Sequence, residues 1–140
     1  MSVLELNGRV FDASTTGTLT LTSEGNAATT DVTQGLVKVW IDLDGTGTIS
    51  ISDSLNISSV ADNTTGDHTL SYTNNMNSAN YCYQSSCGGA GQVVITSRGD
   101  VTGSATYMTS SSHRLGVRIP HTDAWVDNDL NCVSNVGDLA

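Results

Sequence analysis

Apolar and polar residues alternate with a period of two along most of this chain. The pattern is plain in Thr18-Leu19-Thr20-Leu21-Thr22, in Thr48-Ile49-Ser50-Ile51-Ser52 and in His68-Thr69-Leu70-Ser71-Tyr72-Thr73. Successive side chains of an extended backbone point to opposite faces, so each run sorts one residue type onto one face of a strand. Leu36 to Leu43 (LVKVWIDL) alternates too, with Val37, Val39, Ile41 and Leu43 on one side and Leu36, Lys38, Trp40 and Asp42 on the other. Gln92-Val93-Val94-Ile95 and Arg114-Leu115-Gly116-Val117-Arg118-Ile119 predict further strands.

Turn-forming residues punctuate these runs at short spacing: Asp44-Gly45-Thr46-Gly47, Asp62-Asn63-Thr64-Thr65-Gly66-Asp67, Cys87-Gly88-Gly89-Ala90-Gly91 and Arg98-Gly99-Asp100. No window of a dozen residues carries a helical period. Many short strands separated by turns predict an all-β fold, a single antiparallel β-sandwich or jelly-roll-like domain. The more polar beginning of the chain, residues 1–34, is expected to form an arm or strand segment ahead of the sandwich over 35–140.

Composition changes this picture in one respect, the size of the core. Seven residues of 140 are aromatic, whereas Ser and Thr number 37. Threonine suits a pleated strand, and the single Pro, single Lys and two Glu argue against a disordered chain. A domain short of large apolar side chains gains stability by burying surface between subunits, so a homo-oligomer is expected.

The formal charge of −9 repels phosphate backbones and anionic lipid, which argues against nucleic acid and membrane surfaces as partners. The beginning, MSVLELNGRV, has neither the basic nor the apolar region of a secretory leader, and no stretch approaches the ~20 apolar residues that span a bilayer. The expected place of synthesis is a cytoplasm. Cys82, Cys87 and Cys132 are odd in number, which argues against a closed disulfide framework. Cys82, within Asn80-Tyr81-Cys82-Tyr83, reads as a small buried hydrophobe, with a Cys82–Cys87 bridge across a Ser85-Ser86 turn as the alternative.

Asp42-Leu43-Asp44-Gly45-Thr46-Gly47-Thr48-Ile49-Ser50-Ile51-Ser52-Asp53 tracks a calcium-binding EF-hand loop. Carboxylates stand at loop positions one, three and twelve, a Thr oxygen at five and the turn glycine at six. The flanks alternate like strands instead of forming amphipathic helices, and position twelve is the shorter Asp. The expectation is therefore a β-hairpin, with calcium held by Asp42, Asp44 and Asp53 as the lesser alternative and no cofactor.

His68, His113 and His121 share no metal-ligand spacing, and no recognised nucleophile motif surrounds them, so no enzyme activity is expected. Arg98-Gly99-Asp100 reads as an ordinary turn. Asn56-Ile57-Ser58 and Asn63-Thr64-Thr65 fit the glycosylation sequon but carry no weight without a secretory signal. Trp125 beside Asp127-Asn128-Asp129 is a candidate glycan-binding group, set against a strand-end Trp packed on the core.

One block goes further: GLVKVWIDLDGTGTISISDSLNISSVADNTTGDHTLSYTNNMNSANYCY, Gly35 to Tyr83. It resembles a module of tailed-bacteriophage tail-fibre and small virion structural proteins of the marine and cyanobacterial phage type. The matching residues are Lys38, Trp40, Gly45 to Thr48, Asp53, Ser54, Asn56, Ser58, Ser59, Asp62, Asn63, Thr65, Gly66, Asp67, Thr69, Thr73, Met76 and Tyr81. Arg118 to Val136 resembles the two closing strands of the module more loosely, and Cys87 to His113 does not align. The resemblance implies a virion protein assembled in the host bacterial cytoplasm: a capsid decoration (cement) subunit, or a short fibre or knob, forming a homotrimer and touching major capsid or tail proteins. A tail-fibre adhesin or lectin-like module binding host surface glycan is the alternative it leaves open, with any receptor contacts expected in the unaligned loops.

Overall fold

The computed structural model describes residues 3–6, 9–12, 20–22, 29–89, 93–97 and 107–140. Contacts divide the chain into two units, Met1–Leu36 and Val37–Ala140. In the first unit β1 (Val3–Leu6) pairs antiparallel with β2 (Arg9–Asp12), and β3 (Thr20–Thr22) with β4 (Thr29–Asp31). A single turn of helix, α1 (Val32–Gly35), follows. The start of the predicted strand at Thr18 and Leu19 lies outside the described residues.

The second unit is an all-β sandwich of two antiparallel sheets. Its strands are β5 (Val37–Asp44), β6 (Ser50–Leu55), β7 (Ile57–Thr64), β8 (Asp67–Tyr72), β9 (Cys82–Gly88), β10 (Val94–Ser97), β11 (Ser112–Ile119), β12 (Ala124–Trp125) and β13 (Leu130–Val136). One sheet runs β6-β5-β13-β9; the other runs β10-β11-β8-β7, with β12 added to β11.

The alternation read from sequence is what fills the space between the sheets. Val39, Ile41 and Leu43 of β5 face Leu70 and Tyr72 of β8, Leu115 and Val117 of β11 and Val133 of β13 in one buried cluster. Burying each such aliphatic side chain contributes ~1.5–3 kcal/mol. With so few large apolar residues, polar groups share the core: His68, His113, Asn131 and Asn135 are fully buried at inward positions of the same strands.

Two of these positions show how polar groups are accommodated. Asn131 donates through Nδ2 to the carbonyls of Leu43 (3.1 Å) and Asn128 (2.7 Å), while Asn128 donates to Gly88 (2.7 Å) and Leu130 (2.8 Å). This clasp ties the approach to β13 onto the ends of β5 and β9. Deeper in, Asn135 donates to the Tyr72 hydroxyl at 2.8 Å, and that hydroxyl lies 2.9 Å from the Tyr81 hydroxyl. Burial raises the pKa of both tyrosines, so they stay protonated as hydrogen-bonding groups.

Three expectations are corrected. Ser85 and Ser86 are not a turn: they lie inside β9, whose last two residues are Cys87 and Gly88. Cys82 and Cys87 are thus five residues apart on one strand, roughly 16 Å at strand rise, which no disulfide spans. Cys82 is also exposed, not a buried hydrophobe, and all three cysteines are free. Asp62 to Thr64 belong to β7, so the turn narrows to Thr65-Gly66.

Candidate functional site

The twelve residues that track a calcium loop form the β5–β6 hairpin. Asp42 and Asp53 are direct cross-strand partners, with a bulge beside them between Asp42 and Leu43. Asp44 turns back on its own loop: Oδ1 accepts from the Thr46 amide (2.8 Å) and hydroxyl (2.6 Å), and these bonds lower the Asp44 pKa. Asp53 Oδ1 accepts from the Ser54 amide at 2.8 Å. Strand geometry explains the arrangement, because alternation sends Asp42 and Asp53 to the outer face while Asp44 closes the turn. Among the described residues no group of three or more His, Cys, Asp or Glu side chains is placed to hold a metal.

The histidines separate. His121 lies in the exposed turn after β11, whereas His68 and His113 sit on neighbouring strands facing the core. His68 fits against the backbone of Gly45, with Nδ1 at 3.7 Å from an Asp62 carboxylate oxygen. His113 Nε2 is 2.7 Å from Ser97 Oγ, a proximity between β11 and β10 that sequence distance concealed. Its Nδ1 has no hydrogen-bond partner. The ring packs edge-on against Tyr83 and Tyr81, at centroid distances of 4.9 and 6.2 Å. A Ser–His pair needs an orienting group on the far nitrogen and access for substrate to act as a nucleophile. This pair has neither among the described residues and works as a core hydrogen bond.

Two of the candidate glycan residues, Asp127 and Asn128, are drawn into the fold, whereas Trp125 and Asp129 stay exposed. Asp127 Oδ1 accepts the Gly66 amide at 2.7 Å, and Asn128 is the clasp described above. Trp125 is 38% exposed, so the expectation of a core-packed Trp is corrected: Val126, one residue on, takes the core position and leaves Trp125 on the other face. Asn56 and Asn63 of the sequons are structural as well. Asn56 (φ 62°) forms the corner between β6 and β7 and exchanges side-chain hydrogen bonds with the Asn74 backbone, while Asn63 donates to Thr69 and Asp67. Arg98-Gly99-Asp100 lies outside the described residues.

What remains is a contrast between the two sides of the sandwich. At the β9–β10 side, side chains lace one sheet to the other. Ser97 donates its amide to the Tyr83 hydroxyl (3.1 Å), Ser85 its hydroxyl to Ile95 O (3.3 Å) and Cys87 its thiol to Val93 O (2.9 Å). Burial, and to a lesser degree Cys132, raises the Cys87 pKa and keeps that thiol protonated.

The opposite side is built differently. There β6 and β7, joined at Asn56, are the outermost strands of the two sheets, and among the described residues no strand pairs with their outer edges. Their sequences, SISDSL and ISSVADNT, hold no Lys, Arg or Pro; Asp53, Asp62 and bulges at Ser52, Ser58 and Asn63 are the features that interrupt these edges. Ile51 and Leu55 are 41% and 46% exposed on opposite faces of β6, and Ile57 and Val60 are half-buried beside them. Alternation predicts a strand over Thr48 to Ser52 but none over β7, and only strand order reveals that both are edges.

No family model, curated protein or solved structure matches the chain. No helix among the described residues is long and apolar enough to cross a membrane.

Proposed function

We propose that this protein is a non-enzymatic structural subunit of a bacteriophage particle, a capsid decoration or short knob subunit, that assembles as a homo-oligomer through the paired edges of β6 and β7. The observation that carries the reading is the asymmetry of the sandwich: one side laced shut, the other presenting two unpaired edges flanked by Ile51 and Leu55. A second copy of the chain suits this surface because both edges offer unpaired backbone donors and acceptors along with apolar side chains, and a thin core gains from further burial.

The residues behind the resemblance to phage modules support the same reading. Gly45, Asn56, Asn63, Gly66 and Asp67 all have duties in turns, corners and buried pairs of β5 to β8. They specify a scaffold around the open edges and do not converge on a reactive centre.

Light scattering on the purified protein tests the assembly. The expected mass is a multiple of 14.6 kDa, three for a trimer, and Ile51→Lys with Leu55→Lys is expected to reduce it to one subunit while the circular dichroism of the β-sandwich is retained. A monomeric parent protein, or an oligomer indifferent to both substitutions, refutes the edge assembly. Rebinding of the oligomer to particles lacking it tests the virion role separately.

A further inference from the structure

A second feature lies on the outer face of the β6-β5-β13-β9 sheet, away from the open edges. Register places Trp40, Ser134 and Gln84 side by side on one rung, and Asp42, Cys132 and Ser86 on the next. The strand in the middle contributes only the small side chains of Cys132 and Ser134. Larger side chains rise on both flanks, Trp40 and Asp42 on one and Gln84 on the other, with the small Ser86 beside Gln84. A trough of about 380 Å³ results, open to solvent and within the ~300–1,000 Å³ typical of small-molecule sites.

Its chemistry is mixed in a definite way. The indole offers an apolar, electron-rich face. Around it stand an amide, two hydroxyls and a carboxylate, none of which makes a side-chain hydrogen bond with another described residue. Strand spacing puts these six side chains on a patch of roughly 10 by 7 Å, the scale of one or two sugar rings.

We propose that this trough is a saccharide-binding site for a neutral hexopyranose. The apolar C–H face of the ring would lie on Trp40, with Asp42 accepting hydrogen bonds from ring hydroxyls on one flank and Gln84 donating or accepting on the other. Neutrality follows from charge: Asp42 is paired across the strands with Asp53, and the chain carries a formal −9, so a sialylated, sulfated or phosphorylated glycan is disfavoured. The site goes beyond the assembly role proposed above. It is distinct from Trp125, which lies on β12 in the other sheet.

The test begins with the purified full chain on an array of neutral and anionic glycans, followed by titration of each neutral binder while Trp fluorescence is monitored. Binding confined to neutral glycans is expected, weakened at least tenfold by Gln84→Ala and abolished by Ser134→Leu, which fills the trough, with Trp125→Ala unchanged. A second readout is independent of the tryptophans. In a Cys82→Ser background, the bound sugar is expected to slow iodoacetamide alkylation of Cys132 at the trough floor. A silent array, binding led by anionic glycans, or binding lost with Trp125→Ala and kept with Gln84→Ala overturns the proposal. Light scattering on the same samples reports the assembly separately, so either proposal can fail alone.

Discussion

Arg114 grips both carboxylate oxygens of Asp67, with Nε donating to Oδ1 at 2.8 Å and Nη2 to Oδ2 at 2.5 Å. Asp67 is fully buried and Asn63 adds a third donor to Oδ1 at 3.1 Å, whereas the Arg114 side chain keeps 31% of its surface exposed. Removing one partner of a buried pair costs about 3–5 kcal/mol, and the partial exposure of Arg114 lowers that to about 2 kcal/mol for Arg114→Ala. Urea unfolding of Arg114→Ala and Asp67→Ala is expected to show losses of at least this size in both variants. A loss under 0.5 kcal/mol on the order-of-magnitude scale of exposed pairs would mean that the pair is a surface contact only.

His113 gives stability a pH dependence. Burial pushes its pKa down from the ordinary 6.5 to about 4. Because the folded state resists protonation, the unfolded chain binds more protons between these values, and stability present above pH 6.5 is lost as pH falls toward 4. The full span corresponds to about 3 kcal/mol. Urea titrations between pH 7.5 and 5 are expected to show the onset of this slope, and His113→Gln to flatten it. An unchanged slope in the variant would assign the acid sensitivity to the carboxylates.

Gly66 and Gly47 both have left-handed backbones, φ 64° and 58°. Alanine costs about 1–2 kcal/mol from that conformation alone. At Gly47 an added Cβ meets nothing within 4 Å, so Gly47→Ala is expected to lose only this amount. At Gly66 it runs into the Val117 carbonyl and lies 2.8 Å from the Val126 amide nitrogen, so Gly66→Ala is expected to lose clearly more. Equal losses in thermal melts would remove the steric argument for Gly66.

Asp42 and Asp53 oppose each other across the hairpin, and like charges placed so destabilise a sheet by a few tenths of a kcal/mol. Asp53→Asn is therefore expected to raise the melting temperature slightly, with calcium and chelator leaving the parent curve unmoved. A calcium-dependent rise that Asp53→Asn abolishes would instead identify a cation on these strands.

Strand content was legible wherever one face is consistently apolar, as in Val39-Ile41-Leu43 and Leu70-Tyr72, because period-two alternation is set by backbone geometry. It failed where the pattern was not apolar. Ser85 and Ser86 looked like a turn because small polar residues are ambiguous between turns and strands flanked on both sides, and β7 was obscured by Asp62-Asn63. The trough was invisible because Trp40, Gln84 and Ser134 are distant in sequence and meet only through the register of β5, β13 and β9. The open edges needed strand order, which alternation does not encode. The core-packed reading of Trp125 failed because a two-residue strand does not establish which face is inward.

The position of β13 has a consequence for the order of events at the ribosome. The strand β13 is inserted between β5 and β9, with Val133 standing opposite Ile41 on one side and Ser85 on the other. Ile41 is synthesised long before Val133, so the nascent chain holds two halves of a sheet with a gap between them until its final strand emerges. Contacts so remote along the chain form slowly. A message cut short before Leu130 would therefore leave β5 and β9 as two additional raw edges, and its product would be prone to aggregate rather than fold into a smaller version of the same domain.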